Sequence, residues 1–435
     1  MASLTSLRTR LRNVYPGWWV LAACCFIAVI PGAIFSYGFA VFFIPIRNDL
    51  MLSSTKTSLI FALARGEAGI GGPLVGWLVD RFDSRPIVMI GGLMAGVGLI
   101  ILSGVSSYWL FMFVYVALVS VGNNSGFGQT LLAVANRWFV RRRAVGMTMV
   151  ITSYTIGGAL LVPLLSRGVD HLGWRDVMLY AGIFVAVIVI PASMLIRRSP
   201  ESMGINLADY GEGAESAPTA PAHPSGPQDA ETTTGTDFTV GEALRTPVFW
   251  FIVFGSAFRI SVTSGILVHA IPIMVWKGTS EQTGADVIAL LFLISIPTRF
   301  LIGMSGVRFS GQYLLAAGMA IGAASLLGLI FIGGIWIVYV FVVGMALMEG
   351  AATLNWVVMG DFFGRSNFAT LTGITSIFYS AGMMLTPLFL GWMFDRTGSY
   401  TTSLLILAAL YGVSALLFGI SRPPRANREM VRAGD

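Results

Sequence analysis

Five ionisable side chains lie inside strongly apolar segments of this sequence. Arg65 and Glu67 interrupt the segment 56–79, and three further charges, Arg259, Arg299 and Glu349, lie near the middle of later apolar segments. A guanidinium group presents a planar fork of donors that matches a carboxylate, whereas a carboxyl group can take up and release a proton. Ionisable residues buried in apolar surroundings are costly and are by default candidates for function. The combination favours the binding of a small organic anion.

The segments that carry these residues are long enough to cross a membrane. The chain has 435 residues, of which 55% are hydrophobic and 11% are charged, whereas a soluble domain carries about 25% charged residues. Apolar stretches of about 20 residues without alternation predict membrane helices rather than a barrel. We therefore predict an all-α polytopic membrane protein with twelve transmembrane helices, spans 1 to 12, at residues 17–43, 56–79, 87–104, 108–136, 144–167, 174–196, 248–276, 285–305, 312–332, 335–361, 367–393 and 400–420.

The region between spans 6 and 7 divides the chain. Residues 197–247 include a stretch rich in Pro, Ala, Gly and Thr without apolar periodicity, which is typical of a partly disordered linker. The six-span segments on either side, 1–196 and 248–435, resemble each other weakly. For example, Gly158 aligns with Gly382, and the prolines that follow them also align. Such a repeat predicts two pseudo-symmetric halves, an arrangement typical of secondary transporters.

The distribution of basic residues predicts the orientation of the spans. Of the 27 Lys and Arg residues, three lie inside spans and most of the others lie on the side of the two termini. Loops on the opposite side carry only six, namely Arg47, Lys56, Arg167, Arg175, Lys277 and Arg396. By the positive-inside rule both termini are expected in the cytoplasm. The scattered arginines do not form a nucleic-acid-binding surface, and a monomer embedded in the lipid bilayer is expected.

The loop between spans 2 and 3 carries a recognisable motif. Its sequence GWLVDRFDSR resembles the signature Gly-x-x-x-Asp-Arg-x-Gly-x-Arg of the major facilitator superfamily, and the resemblance extends over the whole chain. It implies that Asp80, Arg81 and Arg85 form a latch joining helices in the outward-open state. Asp83 stands where the family usually has Gly. Alternatively, the arginines only fix topology. The resemblance also implies a cell inner membrane, and a cavity lined by spans 1, 4, 7 and 10.

Finer resemblances point to one branch of that family. The stretch 239–250 is similar to the oxalate–formate antiporter group, and YPGWWV, residues 15–20, resembles the start of span 1 in monocarboxylate transporters. In both groups an Arg in span 8 binds the substrate carboxylate, and Arg299 stands at the matching place. Tyr379 stands where oxalate transporters use a Lys, which disfavours a dicarboxylate. Ser295 replaces an Asp of mammalian monocarboxylate transporters, which weakens the transfer of their proton-coupling scheme.

The candidate binding residues follow from depth in the spans and from side-chain chemistry. Arg299 is the first candidate for the substrate carboxylate and Arg259 is the second, although Arg299 could instead form a structural ion pair with Glu349. Further candidates that could donate to a substrate oxygen are polar and lie in other spans. They are Asn123, Asn124, Tyr37 and Tyr379. Either asparagine could equally bond across helices, and the tyrosines are more often packing or belt residues.

Two carboxyl groups are candidates for proton coupling. Glu349 is the first and Glu67 the second, whereas Glu349 could equally be a permanent counter-ion. Arg65 and Glu67 lie about 200° apart on a helix and do not face each other. Arg65 shares its face with a stripe of small residues, Gly69, Gly72 and Gly76, which is typical of close helix contact. We therefore expect Arg65 in a helix seam, and the resemblance to the major facilitator superfamily implies that this seam meets span 11; alternatively, Arg65 contacts substrate.

These features predict a secondary transporter that moves a small organic anion by alternating access, through proton symport or anion exchange, and a monocarboxylate is the favoured substrate class. The alternative within the same fold is an exporter of drugs or hydrophobic metabolites, which would need an apolar cavity with a single carboxylate. A membrane enzyme or receptor is a third class. The sequence contains no phosphate-binding glycine loop, no HExxH motif and no His/Cys ligand cluster, so no enzyme activity, cofactor or metal is expected.

Overall fold

The computed structural model describes residues 15–139, 143–197, 200, 203, 238–306, 308–363 and 368–424. These residues form helices and connecting turns, without a β-strand in the described part. The twelve spans comprise Gly17–Pro31 with Gly32–Tyr37 and Phe39–Asp49 (span 1), Ser54–Arg81, Ser84–Ser103, Tyr108–Val114 continuing to Gln129–Trp138 (span 4), Arg143–Leu172, Trp174–Leu195, Pro247–Val268 with Ala270–Trp276 (span 7), Glu281–Ser305, Gly311–Phe331, Trp336–Ala351 with Ala352–Leu354 and Asn355–Phe363 (span 10), Phe368–Thr397 and Thr401–Ile420.

The predicted all-α membrane fold with twelve spans is confirmed. In the described part of the chain, 11 helices are long and apolar enough to cross a membrane. Span 2, Ser54–Arg81, is the remaining long helix. Its charges, among them Arg65 and Glu67, lower its hydropathy below that of the other spans. The residues that make span 2 unusual in sequence therefore lie in an unbroken helix of the bundle.

Several spans are longer than the apolar segments that predicted them. Span 2 has 28 residues and spans 5 and 11 have 30 residues each. At a rise of about 1.5 Å per residue these helices are roughly 42 to 45 Å long, whereas the hydrocarbon core of a bilayer is about 30 Å thick. Their polar ends therefore extend past the apolar layer, and hydropathy alone detects only the middle of each helix.

Departures from regular α-helix occur, among the described spans, in spans 1, 4, 7 and 10. Span 1 contains a π-helical stretch at Gly32–Tyr37, and span 4 contains two, at Tyr115–Ser120 and Asn124–Gly128. Span 7 is interrupted at His269 and span 10 by a 3-10 turn at Ala352–Leu354. Such breaks are frequent at functional sites and at the substrate sites of transporters. They fall in the four spans expected to line a cavity.

Glycines allow spans 3 and 4 to touch through their backbones. A Cβ atom on Gly91 would lie 2.5 Å from the Cα of Gly126, and one on Gly122 would lie 2.6 Å from the carbonyl oxygen of Gly91. Larger side chains at these positions would separate the two helices. Small residues at helix contacts are the usual means by which membrane helices approach closely.

Contacts between Cα atoms divide the chain into two compact units. The first contains the described residues of Met1–Phe39 and Ile70–His223, and the second contains those of Ala40–Gly69 and Pro224–Asp435. The end of span 1 and the first part of span 2 thus belong to the second unit. The predicted division into 1–196, a linker 197–247, and 248–435 follows the sequence repeat and stays a prediction. Most of that linker lies outside the described residues.

The end of the linker is tied to the second unit. A short helix, Val240–Arg245, begins with a capping box in which Thr239 Oγ1 accepts from the backbone of Glu242 and the Glu242 carboxylate accepts from the backbone of Thr239. That backbone hydrogen bond from Thr239 holds the pKa of Glu242 below its ordinary value. The backbone N–H of Phe238 donates to the carbonyl of Phe363 at 3.2 Å, and the two rings meet edge to face. The start of span 7 is thereby anchored to the end of span 10.

Candidate functional site

Five polar side chains of the second unit converge between spans 7, 8, 10 and 12. This central cluster consists of Arg259, Thr263, Arg299, Glu349 and Tyr411. Arg259 and Thr263 lie four residues apart on span 7, so that both point to the same face of the helix. The sequence predicted three of the five. Thr263 and Tyr411 were missed, because a lone Thr or Tyr in an apolar span carries no distinctive pattern.

Glu349 is held by neighbours on two other spans. Arg299 Nη2 lies 3.4 Å from Glu349 Oε2, and the two side chains are 22% and 17% exposed. A strong guanidinium–carboxylate pair has N–O distances of about 2.7 to 2.9 Å and is often bidentate. The observed pair is longer and involves one nitrogen. The ion pair that the sequence left as an alternative for Arg299 is therefore present, at a longer distance than that of a strong pair.

A hydrogen-bonded chain reaches the other oxygen of Glu349. Thr263 Oγ1 donates to Glu349 Oε1 at 3.4 Å, and the Tyr411 hydroxyl lies 3.1 Å from Thr263 Oγ1. An ionised carboxylate can only accept hydrogen bonds. Thr263 therefore donates its proton to Glu349 and accepts one from Tyr411. The direction of this chain is fixed as long as Glu349 is charged.

Arg259 is the most deeply buried charge of the cluster. Its side chain is 8% exposed, and its Nε atom is buried without a hydrogen-bond partner among the described residues. Glu349 and Arg299 are both close enough to interact with it electrostatically. Buried guanidinium groups are normally hydrogen-bonded, because leaving such a donor unmet is costly. Two arginines and one glutamate leave one positive charge, and Arg259 has a donor available for an anion.

A second polar pair lies one helical turn from Arg259. Ser256 Oγ donates to Asn355 Oδ1 at 2.8 Å, and both side chains are fully buried. Asn355 Nδ2 has no partner among the described residues. Because Ser256 precedes Arg259 by three residues, both occupy one face of span 7. Two donors beside this face of span 7 therefore lack a partner in the described part of the chain, namely Arg259 Nε and Asn355 Nδ2 of span 10.

Two of the remaining predicted binding residues are asparagines on span 4, in the first unit. Asn124 Nδ2 donates to Ser120 Oγ at 3.3 Å within the same span. Asn123 is half-buried, and its Oδ1 atom lacks a partner among the described residues. Asn124 thus has a hydrogen-bond partner in its own span, whereas Asn123 Oδ1 has none among the described residues.

The two predicted tyrosines are both half-buried. Tyr37 closes the π-helical stretch of span 1 in the first unit. Tyr379 belongs to the second unit, where it hydrogen-bonds Ser376 and its ring lies 6.4 Å from that of Trp356. Substrate contact by either tyrosine stays a prediction.

Arg65 and Glu67 are both half-buried residues of the second unit. Gly66 lies between them, and a Cβ atom there would come within 2.9 Å of Met384 Sδ on span 11. Span 2 therefore approaches span 11 at this level, where the sequence predicted a seam. The roles of Arg65 as a seam residue and of Glu67 as a proton carrier stay predictions. The surroundings of the glycine stripe that follows, Gly69, Gly72 and Gly76, lie outside what the structure describes.

The motif loop contains an unexpected helix cap. The side chain of Asp80 lies outside the described ones, Arg81 is exposed and Arg85 is half-buried. Asp83, which replaces the usual Gly of the motif, precedes span 3, and its Oδ1 accepts from the backbone N–H of Arg85 at 3.3 Å. Arg137 on span 4 also binds this region by donating to the carbonyl of Val79 at 2.9 Å. The latch role predicted for Asp80, Arg81 and Arg85 stays a prediction.

A bundle of twelve membrane spans, with breaks in four of them and a charged cluster between helices, defines a polytopic membrane transporter. The comparison with family models identifies which kind. Residues 21–358 match the model of the Major Facilitator Superfamily, and the chain belongs to this family. It is a multi-pass membrane protein that transports a small molecule and is not an enzyme.

Known relatives cover nearly the whole chain at low identity. Monocarboxylate transporter 12 of Xenopus laevis is 23% identical, over 96% of this chain and 92% of the relative. Human monocarboxylate transporter 11 is 27% identical, over 91% of this chain and 81% of the relative. Among solved structures, a bacterial homologue of the human lysosomal transporter Spinster, inward-facing and unoccupied, matches with a TM-score of 0.66 at 17% identity over 95% of this chain and 100% of that one. A D-xylose–proton symporter matches with a TM-score of 0.66 at 17% identity, over 93% and 98%. These two solved structures have the same fold as this chain.

Proposed function

We propose that this protein carries a small monocarboxylate across the membrane by alternating access, with the central cluster as its binding site. The observation that carries the proposal is the buried Nε of Arg259, which has no partner among the described residues. A carboxylate bound there would accept from a guanidinium group in the fork geometry for which Arg is suited. The anion would also neutralise the excess positive charge of the cluster.

The charge of the cluster favours one carboxylate over two. With Glu349 ionised, as in anion exchange, the two arginines leave one positive charge, which a single carboxylate balances; in proton symport the proton and one carboxylate enter together, so that their charges cancel. A dicarboxylate would introduce a second negative charge, and Tyr379 rather than a cation stands where a second anchor would be needed. The relatives that match over the whole chain are named monocarboxylate transporters. Asn123, Asn124, Tyr37 and Tyr379 are proposed as additional contacts for substrate oxygens.

Glu349 is proposed as the proton-coupling group. Protonation of Glu349 would release Arg299 from the loose ion pair, so that Arg299 could join Arg259 on the substrate. Proton uptake and anion binding would then favour each other, which is the requirement for symport. Glu67 is the second candidate proton carrier. Anion exchange is the alternative mode, in which Glu349 stays charged and the site returns loaded with a second anion.

The proposed setting is the cell inner membrane, with both termini in the cytoplasm. The support is the excess of Lys and Arg on the side of the termini, because cytoplasmic loops are enriched in these residues.

Uptake into proteoliposomes tests the proposal. Purified protein is reconstituted and supplied with labelled monocarboxylates, dicarboxylates and uncharged amphiphiles, with and without a pH gradient. We expect saturable uptake of one or more monocarboxylates, driven by an acidic outside, and loss of this uptake in Arg259→Gln. Arg245→Gln, which changes an exposed arginine of the linker helix, is the matched control and should transport normally. Uptake of uncharged amphiphiles without carboxylates would instead support the exporter of hydrophobic compounds. Uptake driven only by anion on the opposite side would establish exchange.

A further inference from the structure

Two buried hydrogen-bond donors of the second unit belong to neighbouring residues of spans 7 and 10. They are Arg259 Nε and Asn355 Nδ2, and neither atom has a partner among the described residues. The side chain of Arg259 is 8% exposed and that of Asn355 is fully buried. Buried N–H groups are nearly always hydrogen-bonded, because an unmet donor is costly. Two unmet donors on adjacent helices therefore indicate a ligand that accepts from both.

Ser256 fixes the orientation of the Asn355 amide. Ser256 Oγ donates to Asn355 Oδ1 at 2.8 Å, so the amide oxygen is engaged and the NH2 group is the end that remains available. Ser256 precedes Arg259 by three residues on span 7, and residues at this spacing share one face of a helix. The residue that orients the amide and the guanidinium group thus lie within one turn of each other.

The charges around these donors favour an anion. Glu349 is the carboxylate of the central cluster, and it is paired with Arg299, whose Nη2 atom lies 3.4 Å from Glu349 Oε2. Arg259 makes no ion pair of this kind in the described part of the chain, and its other polar neighbours, Thr263 and Tyr411, are neutral. An unpaired charge in apolar surroundings is costly. A monovalent anion beside Arg259 would neutralise it.

The depth of the two donors favours a small anion. A carboxylate brings a carbon chain that must also find room beside Arg259 and Asn355, whereas a halide is a single atom. A halide accepts from several N–H groups at once and has no hydrogen of its own to place. Because both side chains are almost completely enclosed in the conformation described, a single-atom anion suits the two donors best.

We propose that Arg259 and Asn355 together bind one halide ion, chloride or bromide, when no carboxylate occupies the central cluster. The halide accepts from Arg259 Nε and Asn355 Nδ2 and neutralises the excess positive charge. The inference rests on the proposed function in one respect, since the substrate carboxylate would have to displace the halide from Arg259. The halide is therefore a competitor of the substrate.

Thermal unfolding in detergent tests halide binding in the absence of substrate. The unfolding midpoint is measured in sodium chloride, sodium bromide and sodium methanesulfonate at equal ionic strength. A ligand that binds only the folded protein raises the midpoint in a concentration-dependent manner. We expect chloride and bromide to raise the midpoint of the wild-type protein above its value in methanesulfonate, whose anion is several atoms wide. Equal midpoints in all three salts would overturn the proposal.

Variants locate the bound ion. Asn355→Asp keeps an acceptor for Ser256 but replaces the amide donor by a negatively charged oxygen, so it should abolish the rise caused by halide. Arg259→Gln removes the positive charge and provides a second test if Asn355→Asp does not fold. Asn48→Asp makes the same chemical change at an exposed position and should keep the wild-type response. An undiminished halide response in the folded Asn355 and Arg259 variants would indicate an adventitious ion only, and the proposal would be wrong.

Uptake measurements separate this proposal from the proposed function. Because both anions need Arg259, chloride at its dissociation constant should raise the monocarboxylate concentration for half-maximal uptake about twofold by mass action, without lowering the maximal rate. An unchanged half-maximal concentration in saturating chloride would overturn the shared site. A halide response that needs Arg259 and Asn355, found without any monocarboxylate uptake, would support the halide site and refute the proposed function. Monocarboxylate uptake by a protein without a halide response would do the reverse.

Discussion

Replacing Arg259 by Gln removes the buried charge on which the proposed anion site depends. The Gln side chain ends near the position of the Arg Nε atom and keeps only a neutral amide, so the variant loses the positive charge and the fork of donors. A hydrogen bond to a charged group contributes about 1.5 to 3 kcal/mol. Two such bonds to a carboxylate therefore contribute roughly 3 to 6 kcal/mol, and each 1.4 kcal/mol is about a factor of ten in affinity. We expect Arg259→Gln to weaken monocarboxylate binding by about 10² to 10⁴.

We expect a different effect on anion binding when Arg299 is replaced, because Arg299 already forms an ion pair with Glu349. Arg299→Gln leaves Glu349 next to Arg259, and the carboxylate would then compete with the substrate for that arginine. Adding Glu349→Gln removes the competitor and restores one positive charge. The double variant Arg299→Gln/Glu349→Gln should therefore bind anion more tightly than Arg299→Gln alone. Adding Glu349→Gln to Arg259→Gln should recover much less, because the most deeply buried cation of the cluster is gone.

Equilibrium binding of a labelled monocarboxylate to purified protein measures these differences without interference from transport steps. The substrate is the one taken up fastest in the proteoliposome panel, and thermal unfolding in detergent confirms that each variant is folded. Near-normal affinity of a folded Arg259→Gln protein would refute the reasoning. An equal gain in affinity when Glu349→Gln is added to Arg259→Gln and to Arg299→Gln would also refute the reasoning, because it would show that the two arginines are interchangeable.

Three further changes test the neighbourhood of the site and the motif loop. Glu349→Gln should abolish the stimulation of uptake by a pH gradient, while anion exchange measured without a pH gradient continues. If the gradient still stimulates uptake by this variant, Glu349 is not the proton carrier. Tyr411→Phe deletes a neutral hydrogen bond worth about 0.5 to 1.5 kcal/mol, so proton-driven uptake should fall about two- to tenfold; uptake at the wild-type rate would show that the chain through Thr263 has no role. Asp83→Ala should cost about 1 kcal/mol of stability through loss of the cap on span 3, whereas Asp83→Gly should cost a few tenths. Thermal unfolding compares the two, and equal midpoints would exclude a capping role.

The fold could be predicted from the sequence because membrane spans are specified by composition over about 20 residues. The helix ends could not, since polar turns beyond the hydrocarbon core carry no hydropathy signal. Span 2 illustrates the difference. Arg65 and Glu67 lower its hydropathy, yet the helix runs unbroken from Ser54 to Arg81.

The charged members of the central cluster could be predicted from the sequence, because charges inside a membrane span are energetically costly and therefore rare. Arg259, Arg299 and Glu349 stand out against apolar neighbours, and their depth can be read from the helical rise. Which arginine pairs with Glu349 depends on the rotation and packing of three helices. A single sequence does not contain that information. Thr263 and Tyr411 resemble ordinary packing residues until the structure brings them to the carboxylate.

Contacts between residues that are far apart in the chain could not be predicted from the sequence. Asp395 Oδ1 accepts a hydrogen bond from the backbone N–H of Ser54, at the start of span 2 and 341 residues away, and nothing in the local pattern of span 11 indicates that its carboxylate caps another helix. Gly391 likewise appears as one of 51 glycines. A Cβ atom there would lie 2.7 Å from the carbonyl oxygen of Ser54, so its role emerges only from the distance between two backbones.

An experimental structure of the protein with its fastest-transported monocarboxylate bound would test the proposed binding site directly. We predict that the substrate carboxylate lies within hydrogen-bonding distance of the Arg259 guanidinium group, on the face of span 7 that also carries Ser256 and Thr263. A carboxylate bound elsewhere, with Arg259 Nε still lacking a partner, would contradict it.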